Sequence, residues 1–323
     1  MKRILMGLLA ICMSVTFVAA NGTKEGATKS ASSTDKKTFV VGLSQGTKNH
    51  PFRVAMDDVN IAYAKEHYPD MEIIETDGNN QVSKQVNDVE DLLARGIDLL
   101  LISPLAAEGL TDVCEKVMNQ GIPVVTLDRN VNCPVTCYIG AENKPMGVAA
   151  ADKLAGMTGG KANIVEIQGT AGASATIDRH DGFAEEIAAK YSDMKIIANQ
   201  YCDYLREPAM TFMEDMLQRF GPGEIQIVYA HNDEMALGAL AAIKAAGRDK
   251  EGILIVGMDG TEVAFDAIKT GEMAFTVVYP YCAPEGVQMA HRILSGEKVP
   301  SRWKLDTAVV DKDNLKDWVG KGL

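Results

Sequence analysis

Short apolar runs alternate with longer helical patterns from Thr38 onward, and this alternation constrains the fold more than any other feature of the chain. Each run is rich in β-branched residues or leucine, as strands buried on both faces are. The eleven predicted strands are 39–43, 72–75, 99–102, 124–127, 138–139, 164–167, 195–197, 225–230, 253–256, 275–278 and 305–310. Helix patterns lie between most of them, for example 54–67, 83–95, 109–120 and 144–157. This order is typical of parallel sheets covered by helices, and eleven strands exceed one sheet, so the sequence predicts two similar α/β domains.

The stretch 225–240 shows the repeating unit most clearly. A strand pattern ends at Ala230, three polar residues follow, and a helix pattern then runs to about Ala246, where Gly247 ends it. Asn232 in this corner can bind a ligand hydroxyl through its amide, which both donates and accepts hydrogen bonds. The alternative is that Asn232 and its neighbours only cap the helix.

Polar corners of this kind follow strands in both halves of the chain. They are 45–53, 77–80, 128–130, 168–169, 231–233 and 259–260. Ligands of open parallel sheets bind beyond the carboxyl ends of the strands. The pattern therefore predicts two such edges that face each other across a cleft.

The N-terminal 37 residues differ in composition from the rest of the chain. Residues 1–20 have a basic start, an apolar run and a small-residue end at Ala20, which is typical of a signal peptide. Residues 21–37 have almost nothing to bury and are predicted to be a flexible tether. Lipidation needs a cysteine at the cleavage point, but Asn21 stands there and Cys12 follows a bulky Ile11. Export is expected, and lipid anchoring is possible but not favoured.

Composition excludes several function classes. The formal net charge is −12, without a basic cluster, which argues against nucleic acid and anionic membrane surfaces as partners. Five cysteines follow the signal peptide, and Cys133 and Cys137 can close a small loop. No Cys or His pair has ligand spacing with a second pair to complete it, so no metal and no cofactor is expected.

Five spaced motifs resemble the monosaccharide-binding proteins of bacterial ABC importers, and the ribose- and galactofuranose-binding branches are the most similar. The motifs are 50–53 (HPFR), 126–129 (TLDR), 165–174 with Asp178-Arg179, 230–240 (AHNDEMALGAL) and 256–260 (VGMDG). The resemblance runs in order from about Thr38 to Val310. It implies the type I periplasmic binding protein fold, with two Rossmann-like domains of parallel sheets joined by a three-stranded hinge. The expected lobes are 38–141 plus 280–305 and 142–279 plus 306–323, with crossings near Ala141, Tyr279 and Asp306.

The resemblance also implies a set of ligand-binding residues. They are His50, Phe52, Arg53, Asp128 and Arg129 from the first domain, Arg179, Tyr204, Asn232 and Asp259 from the second, and Tyr279 at a hinge crossing. Simpler interpretations exist for several of them. Asp128 and Arg129 can be a solvated pair, Arg53 can reach into water, and Arg179 can pair with a neighbouring aspartate on the surface. Taken singly, the three aromatic residues are more often core than ligand platform.

The residue type at position 53 indicates which class of sugar the site prefers. The ribose-binding pattern has an aromatic residue there, whereas the galactofuranose branch has arginine, which adds up to five donors. A hexose, in furanose form or otherwise, is therefore expected, with a ribose-like sugar, a sugar acid or a polyol left open. The expected protein is an exported monomer in the periplasm or on the outer face of the membrane, and it delivers its sugar to an ABC permease.

The sequence also bears on three other functional classes. A chemotaxis or signalling receptor for the sugar remains an alternative. A nicotinamide-dependent enzyme is disfavoured because no Gly-x-Gly-x-x-Gly follows a strand and no nucleophile elbow or phosphate loop is present. A sugar-responsive repressor would need a basic helix-turn-helix before Thr38, where the signal peptide and tether lie.

Overall fold

The structure is a computed structural model that describes residues 38–322. The predicted signal peptide and tether lie outside the described residues. In chain order the first elements are β1 (Phe39–Gln45), α1 (Pro51–His67), β2 (Met71–Asp77), α2 (Val82–Ala94), β3 (Leu99–Ser103), α3 (Ala107–Asn119), β4 (Val124–Leu127) and β5 (Cys137–Gly140). The next are α4 (Asn143–Thr158), β6 (Lys161–Gln168), α5 (Ser174–Lys190), β7 (Asp193–Tyr201), α6 (Arg206–Arg219), β8 (Ile227–Ala230), α7 (Asp233–Ala245), β9 (Leu254–Asp259), α8 (Glu262–Thr270) and β10 (Phe275–Val278). The last are α9 (Glu285–Leu294), β11 (Arg302–Lys304), β12 (Ala308–Asp311) and a 3₁₀ turn, Leu315–Asp317.

The described residues form two six-stranded sheets. The first has the order β11-β5-β4-β3-β1-β2 and is parallel throughout. The second has the order β12-β10-β9-β8-β6-β7 and is parallel except for β12, which runs antiparallel to β10. The chain passes between the sheets three times, after β5, after β10 and after β11. The predicted α/β class with two mostly parallel sheets is confirmed.

Alternate side chains of the central strands pack against helices on opposite faces. On β3, Leu99 and Leu101 belong to a buried cluster with residues of α1 and α9. Leu100 and Ile102 belong to a cluster with residues of α2 and α3. Burial of each such side chain contributes roughly 1.5–3 kcal/mol. Both faces of the strand are therefore apolar, which is why its sequence shows a continuous run and no alternation.

The second sheet is built in the same way. On β8, Ile227 and Tyr229 pack with residues of α4 and α5, whereas Val228 and Ala230 pack with residues of α6, α7 and α8. The two core layers hold the strands of each sheet in register, so the loops after their carboxyl ends have fixed starting points.

The predicted strand 305–310 is wrong. The chain runs in β11 up to Lys304 beside β5 and enters β12 at Ala308 beside β10, in the other sheet. Asp306 and Thr307 between them are exposed. Two exposed polar residues separate the apolar runs, so the chain leaves one sheet and joins the other instead of continuing as one strand.

The cysteines are free thiols in the described part of the chain. Cys114, Cys133, Cys137, Cys202 and Cys282 are all buried, and none forms a disulfide. The small loop that Cys133 and Cys137 can close is therefore not closed by a bond in this structure.

Candidate ligand-binding site

Corners from both sheets meet around one small cavity. The space that it leaves open to the centre of a water molecule is about 10 Å³. It is lined by His50, Phe52, Arg53, Asp128, Ala175, Arg179, Tyr204, Asn232, Asp259 and Tyr279. All the residues predicted from the sequence are among them except Arg129, which lies directly beside Asp128. Ala175 was not predicted, because a methyl group carries no polar signal in a sequence.

A buried ion pair forms the first-sheet side of the cavity. Arg53 lies in the first turn of α1, which follows β1, and its Nη1 pairs with Asp128 Oδ2 and donates to Ser103 Oγ at 2.7 Å. Arg53 is only 4% exposed, so the alternative that it reaches into water is wrong. Burial alone would raise the pKa of the Asp128 carboxyl, but the charges of Arg53 and Arg129 outweigh it and lower this pKa.

Arg129 is buried beside this pair, which excludes the solvated-pair interpretation. Its Nη1 donates to Leu105 O at 3.2 Å, and its guanidinium lies 5.2 Å from the centre of the Tyr204 ring. Burial and the neighbouring Arg53 charge lower the pKa of Arg129 to about 10, so it remains protonated near neutral pH. Its Nε and Nη2 have no hydrogen-bond partner among the described residues.

His50 places a neutral imidazole against the same charges. It is buried, and its ring centre lies 6.3 Å from that of Phe52 and 6.4 Å from that of Tyr204. Burial and the charges of Arg53 and Arg129 lower the pKa of His50 to about 3. Within the described part of the chain, neither ring nitrogen has a hydrogen-bond partner. His50 therefore offers one donor and one acceptor.

The second sheet contributes Arg179 from α5. Its Nε donates to Asn143 Oδ1 at 2.8 Å, and its Nη1 donates to the carbonyl oxygen of His231. Its guanidinium lies 4.8 Å from the centre of the Tyr279 ring. Arg179 is 3% exposed, so the surface-pair interpretation is wrong. Asn143 was missed in the sequence, where it reads only as the start of a helix.

A network of three titratable side chains, of which Glu166 and His231 are buried, supports this corner. Glu166 on β6 accepts from His180 Nδ1 at 2.9 Å and from His231 Nε2 at 3.0 Å. Burial alone would raise the pKa of Glu166, but the two imidazoles outweigh it and lower this pKa to about 2. The hydrogen bond that His180 donates to Glu166 raises the pKa of this partly exposed imidazole, whereas burial lowers the pKa of His231.

Asn232 caps α7 and also lines the cavity. Its Oδ1 accepts from Met235 N at 2.9 Å, and its Nδ2 donates to Tyr204 O at 3.1 Å. Asn232 thus caps the helix through Oδ1, and it uses one N–H of Nδ2 for Tyr204 O. The amide still has one N–H and one lone pair for another partner.

The aromatic residues are fixed by hydrogen bonds and by close packing. Tyr204 OH bonds to Thr176 Oγ1 at 2.8 Å, and a Cβ at Gly169 would lie 2.0 Å from Tyr204 Cζ, so only glycine fits there. Tyr279 OH donates to Asp128 O at 3.1 Å, which joins the two sheets across the cavity. The Phe52 ring packs 5.9 Å from the Tyr279 ring.

Asp259 ends β9 at the cavity wall with a positive φ of 121°. Burial and the nearby Asp233 carboxyl raise the pKa of Asp259 well above its usual range. A buried carboxyl of this kind can donate a hydrogen bond while protonated and accept one while ionised.

The cavity therefore combines fixed hydrogen-bonding groups with aromatic rings. Buried polar atoms are nearly always paired in proteins, yet His50, Arg53 Nε and two Arg129 nitrogens are unpaired among the described residues. A small molecule with several hydroxyl or carbonyl oxygens can satisfy them. Within residues 38–322 there is no group of three or more His, Cys, Asp or Glu arranged to hold a metal ion.

Comparison with known proteins agrees with this architecture. Residues 41–298 match the family described as periplasmic binding protein domain. The ribose import binding protein of Bacillus subtilis (strain 168) is 38% identical over 277 residues, covering 84% of this chain and 87% of that protein. The galactofuranose-binding protein of Escherichia coli (strain K12) is 34% identical over 241 residues, covering 72% of this chain and 75% of that protein.

A solved structure shows the same arrangement. The fructose-binding periplasmic domain of a hybrid two-component system aligns with a TM-score of 0.82 at 33% identity, covering 88% of this chain and 94% of that chain. The resemblance inferred from the five sequence motifs is confirmed.

Proposed function

Since this chain belongs to the periplasmic binding protein family, we propose that it captures one monosaccharide and delivers it to an ABC permease. The observation that carries this proposal is the set of unpaired buried donors in and directly beside a cavity between two mostly parallel sheets. Sugar hydroxyls supply the missing acceptors, and the C–H faces of a sugar ring suit the aromatic side chains.

We propose that the two sheets are the cores of two lobes, made of residues 38–141 plus 280–305 and 142–279 plus 306–323. Two facts support this division. Residues of α9 pack in the cluster of the first sheet, and β11 pairs with β5, although both elements follow the second sheet in sequence. The three passages between the sheets are then the hinge, and the ligand enters as the lobes separate.

The donor-rich cavity favours a hexose, furanose or otherwise, over ribose. Arg53 replaces an aromatic ring of the ribose-binding pattern and is held by Asp128, so it presents a guanidinium where a stacking face would be. A sugar acid or a polyol is the competing ligand class, and the binding screen below includes both.

We propose further that the protein is exported, acts as a monomer without chemical catalysis, and does not bind nucleic acid. The relatives described above are named as binding proteins, and the acidic net charge of −12 opposes contact with phosphate backbones. None of the helices in the described range has both the length and the apolarity needed to cross a bilayer.

A ligand screen tests the proposal. Thermal shift over pentoses, hexoses, their acids and polyols, followed by calorimetry, should give one site per chain with Kd near micromolar, roughly −8 kcal/mol. Arg179→Gln should abolish the heat, whereas Arg219→Gln, at an exposed position of α6, should bind like the parent. Tight binding of an amino acid or a peptide, with no heat from any sugar, would contradict the proposal.

A further inference from the structure

A carboxylate that does not line the cavity lies directly behind the corner that carries Asp259. Asp233 is the first residue of α7 and is fully buried. Its Oδ2 accepts from the backbone N–H groups of Gly260 at 2.9 Å and Thr261 at 2.8 Å. Its Oδ1 accepts from Thr276 Oγ1 on β10 at 2.6 Å. One side chain thus ties α7 to both β10 and the loop after β9.

The loop after β9 needs such an anchor. Asp259 has φ at 121°, a region that residues other than glycine rarely adopt and that persists only where the surroundings impose it. The two N–H groups that follow Asp259 both point at Asp233. These bonds fix the peptide planes on the C-terminal side of Asp259 and so set the direction in which its side chain leaves the backbone.

The strand is shaped to admit the Asp233 carboxylate. A Cβ at Gly257 on β9 would lie 2.3 Å from Asp233 Oδ1, so only glycine allows the carboxylate to approach the strand this closely. This close approach therefore depends on two residues together, Asp233 on α7 and Gly257 on β9.

We propose that Asp233 is a positioning residue for ligand binding, because it holds the strained corner that turns the Asp259 carboxyl into the cavity. Asp233 does not touch the ligand and acts through Asp259. This inference rests on the proposed function for its affinity readout, and the ligand-free readout below is independent of it.

The ligand-free test compares the crystal structures of three variants. In Asp233→Ala the two N–H groups lose their acceptor, so Asp259 should leave its positive φ and its carboxyl should leave the cavity. The serine hydroxyl of Asp233→Ser is too short to reach both amides. This variant therefore replaces the alanine variant in the test if the alanine variant does not fold. Asp233→Asn keeps one acceptor oxygen for the two amides and should retain the parent corner. An unchanged corner in the alanine or serine variant overturns the proposal whether or not a sugar is known.

The binding test uses a double-mutant cycle with Asp259→Asn. Asp233→Ala and Asp259→Asn should each weaken sugar binding by at least about tenfold, the effect of one charge-assisted hydrogen bond. Because Asp233 acts through Asp259, the two losses should not add. The double variant should have the affinity of whichever single variant binds the sugar less tightly. Asp233→Asn should recover most of the affinity, and Thr276→Val should cause a smaller loss than Asp233→Ala.

The control is Ile243→Ala, a buried position near the opposite end of the same helix from Asp233. It should lower thermal stability and leave Kd within about twofold of the parent. Additive effects in the cycle, or an equal loss of affinity in the control, would show that Asp233 contributes only to stability and would overturn the proposal. If the parent binds no monosaccharide, the proposed function fails, and the ligand-free structures still decide the role of Asp233.

Discussion

Several residues of the candidate site hold backbone conformations that L-amino acids rarely adopt. Asp128 and Tyr204 have φ at 63°, and Asp259 has φ at 121°. Each such residue costs of order 1–3 kcal/mol, which the surrounding contacts must offset. The strain lies where side chains from different elements meet at one cavity, so the backbone at these positions directs side chains into the cavity at a cost in local stability.

At the level of single residues, Arg53 is expected to set ligand preference. Arg53→Lys should weaken binding of the native sugar by about tenfold, because an ammonium cannot pair with Asp128 and bond Ser103 with the same planar geometry. Arg53→Phe should shift preference toward pentoses. Calorimetry with matched pentoses and hexoses measures both effects.

Two outcomes bear on that interpretation. Arg95→Lys, at the end of α2 and outside the cavity, is the control and should bind like the parent. If both Arg53 variants bind the native sugar as the parent does, Arg53 only stabilises Asp128 and the preference for a hexose loses its basis.

His50 should make stability fall in acid. Its pKa in the folded protein is about 3, below the usual 6.5, so the unfolded chain takes up a proton between these values that the folded state refuses. The free energy of unfolding should therefore decrease as pH falls from 6.5, by up to about 1.4 kcal/mol per pH unit. Urea titrations from pH 7 to pH 4 should show a shallower decrease for His50→Gln.

His180 provides a control of opposite sign. Its pKa is raised by Glu166, so its contribution to stability is present below 6.5 and is lost as pH rises above that value. His180→Gln should change the pH profile above 6.5, and it should not reproduce the change that His50→Gln makes below 6.5. Identical profiles for both variants would show that the slope belongs to another group.

Polar residues after the strand patterns predicted the sheet edge at which the site lies, and Asp128 and Asp259 belong to those corners. Arg179 lies in a helix pattern and was predicted only from the family resemblance. Ser103 and Asn143 were not predicted, because their role depends on which side chain from another element reaches them. That information lies in the packing of distant segments and is not present in any local pattern.

At the level of elements, α7 depends on its cap. Asn232→Ala removes the acceptor for Met235 N and should cost about 1 kcal/mol of unfolding free energy as well as sugar affinity. Asn232→Asp keeps the cap and should lose affinity because no amide N–H remains for the ligand, and it gives up the Nδ2 donor for Tyr204 O, whose cost in stability is separate from the cap. Urea unfolding and calorimetry of the two variants separate the two roles.

A contrasting cap tests whether the affinity loss is specific. Thr261 caps α8 by accepting from Ala264 N at 3.2 Å, in the loop behind Asp259. Thr261→Ser keeps the hydroxyl and should match the parent in both measurements.

The alanine and aspartate variants of Asn232 should lose the same amount of sugar affinity. Full affinity in Asn232→Asp would show that Asn232 only caps the helix.

Apolar periodicity predicted where most helices and strands lie in the sequence, but it did not predict which sheet each strand joins. The predicted helix 54–67 corresponds to α1, which begins three residues earlier at Pro51. The predicted strand 305–310 failed because periodicity shows that a residue is buried but not which sheet buries it. Two apolar runs separated by Asp306 and Thr307 read as one strand until the partners are known.

At the level of the whole molecule, several contacts among the described residues join the two sheets with their flanking helices, and three of them are hydrogen bonds near the cavity. Tyr279 OH bonds to Asp128 O, Ala107 N donates to Gly172 O at 2.9 Å, and Asn130 N donates to Ser174 Oγ at 2.9 Å. These contacts hold the cavity walls together. They must break if the lobes separate to admit a ligand.

We therefore expect Ser174→Ala to speed ligand release. The variant removes the acceptor for Asn130 N without altering the cavity lining, so the dissociation rate should rise more than the association rate falls. Stopped-flow measurements of both rates test this, with Ser192→Ala, between α5 and β7, as the control. A change confined to the association rate would contradict the idea that the Ser174 hydrogen bond holds the two cavity walls together.

The pairing of β11 with β5 has a consequence for how the protein is made. Arg302 pairs with Tyr138, so the first sheet gains its edge strand only after every strand of the second sheet except β12 has been synthesised. The first sheet therefore stays incomplete while β6 to β10 are made. A polypeptide whose first sheet waits for so late a segment remains suited to threading through a translocation channel before it folds.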